Sequence, residues 1–182
     1  MMHMNDLTET MISREDKFVG RIVGVHVDQV RLPNGNTAPR EVVDHGGGVS
    51  VLALDENNNV LTVTQYRYVF GRNMLELPAG KLDPGEDPAE GALRELKEET
   101  GAVLGEFISL GQVLPSPGCF GEILPLYLAR NVKMEEQNLD EDEFLNVERI
   151  PFDEMVRRCL SGEIQDAKTV VAVLKAKLLL NL

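Results

Sequence analysis

Tryptophan is absent from this chain, cysteine occurs only twice, and aromatic residues make up 5% of it. Basic residues are also scarce: 18 Lys and Arg stand against 30 Asp and Glu, for a formal net charge of -12. Without a basic surplus to neutralise phosphates, binding to nucleic acid or to an anionic membrane is not expected. A phosphorylated small molecule remains a feasible partner if divalent cations or a few well-placed arginines supply the positive charge. Cys119 and Cys159 stand alone, with no short metal-ligand spacing. That excludes a disulfide framework and fits a reducing compartment, with each thiol serving as a small hydrophobe. No stretch approaches the roughly 20 apolar residues of a membrane span. Residues 1–13 have neither the apolar core nor the cleavage pattern of a signal peptide. The expected location is the cytoplasm.

The 182 residues, 43% hydrophobic and 26% charged, have the composition of an ordinary globular protein. The length suits one domain with a sizeable core and a small N-terminal extension. Over residues 18–32 Val23, Val25 and Val27 alternate, Asn34-Gly35 marks a turn, and Glu41-Val42-Val43 resumes an extended segment. This pattern predicts an N-terminal hairpin. Three glycines at 46–48 mark a boundary, dividing an N-terminal β segment (1–45) from a main domain (46–182). In the main domain, strands are expected over 49–54 and 60–66, joined by the polar turn 55–59, and over 75–77. Further strands are expected near 103–114, 123–129 and 144–149. Helices are expected over 87–100, 152–160 and 167–180, the last with Asp166 as N-cap. Strands that do not alternate regularly with helices point to an α/β fold with a mixed sheet and helices on its faces.

The chemistry is concentrated in the helix over 87–100. Asp87 is placed as N-cap, Pro88 as the first helical residue, Glu90 to close a capping box, and Gly101 as the C-terminal stop. At about 100° per residue, Ala89, Ala92, Leu93, Leu96 and Thr100 form the core-facing stripe. Glu95, Glu98 and Glu99 share an adjoining face. Like charges at these spacings cost a few tenths of a kcal/mol per pair, so the helix gains nothing intrinsic from them. Arg94 is expected to pair with Glu98 and Glu90. Hard oxygen ligands so grouped suit Mg²⁺. Gly91, one turn before Glu95, is expected to keep that face clear. The preceding Leu77-Pro78-Ala79-Gly80 and Asp83-Pro84-Gly85-Glu86 form a glycine-punctuated loop able to bring a backbone carbonyl to a metal.

Gly80, Glu86, Arg94, Glu95, Leu96, Glu98, Glu99 and Gly101 together resemble the Nudix box at its fixed positions and spacing, with Ala102 where a bulkier aliphatic residue is usual. The resemblance implies the Nudix fold, an α/β/α sandwich with a mixed β-sheet. It also implies metal ligation by Glu95, Glu98, Glu99 and the carbonyl of Ala79, with Mg²⁺ as the ion and Mn²⁺ as a substitute. Ser116-Pro117-Gly118 is similar to the proline-bearing signature of ADP-ribose pyrophosphatases within that family, and Glu122 sits where these enzymes often carry an acidic residue. Arg67, at the end of the strand before the box, would clamp a phosphate. Glu76 would face substrate or metal, and Arg40 would contact substrate from the N-terminal segment. The same resemblance implies a homodimer in which that segment contributes to the substrate pocket.

The implied reaction is Mg²⁺-dependent hydrolysis of ADP-ribose to AMP and ribose 5-phosphate. A carboxylate of the acidic loop 140–143 would act as base, with Glu143 aligning best and Glu141 second, beside Glu98 on the helix. Three alternatives stay open: another nucleoside diphosphate sugar as substrate, a nucleoside triphosphate, or a non-catalytic nucleotide-sensing Nudix module.

Overall fold

The computed structural model describes residues 6–103, 106–139 and 143–180. They fall into two compact units. One comprises the chain up to Gly46 together with Ser116–Glu122, and the other comprises Gly47–Pro115 and Ile123–Leu182.

The first unit is an antiparallel sheet of β1 (Thr10–Val19), β2 (Val23–Arg31) and β3 (Thr37–His45), in that order. The sequence pattern predicts only the hairpin of β2 and β3. It misses β1 for two physical reasons. Every residue of β1 is exposed, so no buried face imposes a period of two, and register shifts between Met11 and Ser13 and between Asp16 and Phe18 break the alternation. What ties β1 to β2 is partly polar, because the Arg14 guanidinium forks onto Asp28 at 2.8 and 2.9 Å. Buried His26 sets its Nδ1 3.0 Å from the same carboxylate. The segment Ser116–Glu122 joins β3 through two backbone bonds of 2.8 Å, from Val43 N–H to the Cys119 carbonyl and from Gly121 N–H to the Val43 carbonyl.

The second unit carries a mixed sheet in the order β12-β5-β4-β10-β9. Its strands are β4 (Gly48–Leu54), β5 (Asn59–Arg67), β9 (Glu106–Val113), β10 (Leu124–Arg130) and β12 (Leu145–Pro151). Only the β4–β10 pair is parallel. Two short strands, β8 (Ala102–Val103) and β11 (Lys133–Met134), pair beside it. Every residue of β4 is buried, as a central strand covered on both faces requires. Its side chains divide by alternation. Val49, Val51 and Ala53 pack with Ala92 and Leu96 of helix α1 (Pro88–Thr100), whereas Leu52 and Leu54 pack with Met155 of α2 (Phe152–Ser161) and Val173 of α3 (Ala167–Leu180). The result is the expected α/β/α sandwich.

The feature that positions the site is a split in this sheet. β5 pairs with β4 only at Leu61 and Val60, and farther along it pairs with β6 (Arg72–Glu76) instead. The edge of β4 that β5 leaves is taken by β7 (Ala79–Lys81). Between β6 and β7 the chain is pinned, because the Pro78 carbonyl accepts from Val51 N–H at 3.0 Å and from the Ser50 hydroxyl at 2.9 Å.

Candidate active site

Helix α1 has the cap, first-turn proline and stop its sequence predicts, but the Glu90 side chain does not close a capping box on Asp87. The Asp87 carboxylate caps the N–H groups of Ala89 and Glu90, and Gly101 ends the helix in the left-handed conformation at φ +71°. Its carboxylates are unequally buried. Glu99 is 1% exposed and Glu95 9%, while the Glu98 side chain is 37% exposed. One oxygen of Glu99 accepts from Ala79 N–H at 2.9 Å, which locks the helix to β7. Burial pushes the Glu99 carboxyl up to about 8; the Ala79 bond opposes this, while the charges of Glu143 and Glu95 add to it. Burial raises Glu95 as well, against the pull of Arg94 and with Glu98 and Glu143 adding to the rise. The charge of Glu143 thus acts on both buried helix carboxylates.

Arg94 is the main counter-charge. It forks onto Glu86 at 2.9 Å through Nε and Nη2 and reaches Glu95 at 2.8 Å, Glu98 at 2.9 Å and the Lys81 carbonyl at 3.0 Å. It does not pair with Glu90, contrary to the sequence expectation. The Glu86 carboxyl, held by Arg94 and by Asp83 N–H, falls to about 2. Gly91 also differs from expectation. A side chain there would meet Leu82 at 2.6 Å and Glu86 at 2.9 Å, so its bare face receives the loop rather than standing open. Gly80 has the stricter requirement, because a Cβ would lie 1.9 Å from the Glu95 carboxyl carbon. Among the described residues no three acidic, cysteine or histidine side chains converge closely enough to hold an ion as they stand. The donor set nevertheless fits a divalent cation, because Glu95 and Glu99 are buried carboxyls whose charged forms meet little countercharge, Arg94 acting on Glu95 and Lys168 on Glu99.

Beside this cluster lies a second network. Glu76, 2% exposed, accepts from Arg67 Nε at 2.7 Å and Nη2 at 2.6 Å, and from Lys168 Nζ at 2.5 Å. Burial works against its charged form, but Arg67 and Lys168 outweigh that and hold the carboxyl below its ordinary value. Lys168 also contacts Asp166 at 3.0 Å. Thr169 Oγ donates to Asp166 at 2.5 Å and accepts from Leu77 N–H at 2.9 Å.

Ala79, Glu95, Glu98, Glu99, Glu143, Arg67 and Glu76 therefore lie in the second unit, within one neighbourhood of hydrogen bonds and electrostatic interactions. Arg40, Pro117, Gly118 and Glu122 belong to the first unit. There Arg40 pairs with Glu9, and Glu122 lies 3.4 Å from His45. Gly118 has no positive φ, and a Cβ there would meet nothing within 4 Å, so the bonds to Val43 rather than this glycine fix the loop. Glu141 lies outside the described residues. Sequence reasoning missed Lys168 and Gln137. A cation in the first turn of a helix opposes the macrodipole, and that was the available signal for Lys168. Gln137 donates to the Glu99 carbonyl at 2.5 Å, and Asn138 N–H donates to that of Glu98 at 3.0 Å. No local pattern announces these bonds.

Residues 44–172 match the NUDIX domain, and the chain belongs to the Nudix family. Among curated proteins it is 43% identical to the methanol dehydrogenase activator of Bacillus methanolicus, over 91% of this chain and 90% of that protein. It is 38% identical to the ADP-ribose pyrophosphatase of Bacillus subtilis, over 93% of each. A solved structure, that of an ADP compounds hydrolase, superposes with a TM-score of 0.84, covering 97% of this chain and 96% of the other. At 23% identity that likeness bears on the fold alone.

Proposed function

We propose that this Nudix pyrophosphohydrolase hydrolyses the diphosphate of ADP-ribose, giving AMP and ribose 5-phosphate. The observation that carries the chemistry is the pair of buried carboxylates, Glu95 and Glu99, on one helix face with less nearby positive charge than they need. The choice of substrate is supported by identity to an ADP-ribose pyrophosphatase over nine-tenths of both chains.

Glu95, Glu98, Glu99 and the Ala79 carbonyl would hold Mg²⁺, or Mn²⁺ in its place. Once bound, such ions acidify water and offset negative charge on the phosphate oxygens. The remaining work falls to side chains. Arg67 orients the diphosphate through its outward N–H groups. Glu143, whose charge already acts on Glu95 and Glu99, takes the proton of the attacking water. Glu141 is the second choice for that role. Arg40, Pro117, Gly118 and Glu122 would contact substrate, a reading that rests on the resemblance to ADP-ribose pyrophosphatases. The N-terminal unit also dimerises, a reading supported by the fully exposed β1, which leaves Met11, Ile12, Phe18 and Val19 in solvent.

The test is incubation with ADP-ribose and Mg²⁺, with Glu99→Gln as the blank and the products identified by chromatography. Release of AMP and ribose 5-phosphate by the wild type alone supports the reading. Turnover of a different nucleoside diphosphate sugar, with ADP-ribose left intact, transfers the site to that substrate.

A further inference from the structure

Lys168 is not one of the box residues, yet it is among the most enclosed cations of the chain, with its side chain 11% exposed. A lysine in the first turn of α3 faces the positive end of the helix and gains nothing there. Its ammonium instead bridges two carboxylates, Glu76 at 2.5 Å and Asp166 at 3.0 Å. Glu76 Oε2 is shared, since Arg67 Nη2 reaches the same oxygen at 2.6 Å.

The geometry of Arg67 gives this sharing a consequence. Glu76 occupies the guanidinium edge formed by Nε and Nη2. A guanidinium carries five N–H donors in a rigid plane, so the end edge, formed by Nη1 and the second hydrogen of Nη2, keeps a parallel pair that matches two phosphate oxygens. The direction of that edge is set by the carboxylate gripping the other one. The Arg67 side chain is 39% exposed, whereas Glu76 is sealed at 2%. The two-bond fork fixes the carboxylate and guanidinium planes relative to each other, but the pair held by that fork alone could still swing as a unit. The second cation removes that freedom. Thr169 fixes the next residue, because its hydroxyl accepts the Leu77 N–H while bonded to Asp166. The first turn of α3 thereby holds both Glu76 and Leu77.

We propose that Lys168 is a positioning residue for diphosphate binding. By fixing the Glu76 carboxylate it aims the free edge of Arg67, so that α3, distant in sequence from the box, sets substrate affinity. The proposal rests on the hydrolytic reading above, but its test does not depend on which nucleoside diphosphate is cleaved.

The experiment compares Lys168→Met and Lys168→Arg, alone and in an Arg67→Ala background. Affinity for magnesium pyrophosphate is read by calorimetry, and KM and kcat are read on whichever substrate the wild type turns over. Lys168→Met should weaken pyrophosphate binding and raise KM about tenfold, the scale of one loosened charge-assisted hydrogen bond, with kcat changed far less. Lys168→Arg should restore most of the loss. On the Arg67→Ala background Lys168→Met should have little further effect, since there is no guanidinium left to aim. Additive losses in the double variant overturn the proposal. So does a lowered melting temperature with unchanged pyrophosphate affinity and KM, which would make Lys168 structural only. Wild type that binds magnesium pyrophosphate but leaves ADP-ribose uncleaved sinks the substrate assignment while leaving the Lys168 comparison intact. Absence of pyrophosphate binding by the wild type overturns the clamp itself.

Discussion

Ala79 N–H donates to Glu99 at 2.9 Å, joining the loop before the carboxylate helix to the most deeply buried carboxyl of that helix. This one bond does not offset the desolvation, and the Glu99 carboxyl stands at about 8, against 4.5 for an ordinary glutamate. Between these values the metal-free folded protein holds a proton that the unfolded chain has lost. Its stability therefore falls as pH rises from about 4.5 to about 8, by about 1.4 kcal/mol per pH unit at the steepest. Glu99→Gln removes this dependence and should raise the melting temperature of the metal-free protein at pH 8.5 by roughly 5 °C or more. Added Mg²⁺ should stabilise the wild type and not the variant. At pH 7 metal binding should release roughly one proton, visible in calorimetry as a heat that depends on the buffer. A flat stability profile from pH 5 to 8 in the absence of metal would contradict the assignment.

Gly80 provides a sharper steric test. An added methyl would sit 1.9 Å from the Glu95 carboxyl carbon, and the side chain is the part free to yield. Gly80→Ala should therefore fold and move Glu95, lowering kcat about a hundredfold, the cost of misplacing a reacting group by about an ångström. Circular dichroism and kcat measured on the same sample check it, and near-normal turnover would show that Glu95 has room to move.

The far end of α1 separates two kinds of glycine. Gly101 and Gly162 both close helices at positive φ, +71° and +77°. A Cβ on Gly162 meets nothing, while one on Gly101 would lie 2.5 Å from the Glu135 carbonyl. Gly162→Ala should cost about 1 kcal/mol from the left-handed backbone alone. Gly101→Ala should cost at least twice that, about 2 kcal/mol or more, because it also displaces the segment bonded to the end of the helix. Denaturant melts of the pair decide it, and equal losses would mean that the segment yields freely.

These positions show where the sequence was readable. The carboxylate helix was legible because cap, stripe and stop are local signals, and the strand at 49–54 because its apolar residues are broken only by Ser50. The split sheet was not, since β6 and β7 are too short to carry a period and are defined by pairing with strands elsewhere in the chain. Strand β1 was hidden by its exposure and its bulges. Arg94 was read as a partner for its own helix, but its strongest bonds run to Glu86 in the loop, and only the fold brings that loop back. Glu76 drew notice as a lone acid, whereas Lys168, 92 residues farther on, is brought to it by packing of α3 on the sheet. Long-range pairings of this kind leave no spacing to read.

The last prediction concerns the proton acceptor. Glu143 charges the surroundings of Glu95 and Glu99, and the stretch leading toward it is fastened to α1 by Gln137, Asn138 and Glu135, which donate to the carbonyls of Glu99, Glu98 and Gly101. A general base must approach the attacking water while leaving metal binding to other groups. Glu143→Gln should therefore lower kcat by about a thousandfold, within the range of a lost general base, and leave Mg²⁺ affinity within a few-fold of wild type. Glu141→Gln in parallel identifies the other acid. If its kcat collapses while that of Glu143→Gln holds, the role moves to Glu141. If both variants lose Mg²⁺ affinity in step with kcat, the loop carboxylates ligate the ion and the base must be Glu98, the most exposed acid of the helix cluster. Gln137→Leu adds a check on delivery, because it keeps both loop acids and removes only the side-chain tie to the Glu99 carbonyl. A fall in kcat there, with Mg²⁺ affinity unchanged, would mean that the helix end holds the base in place.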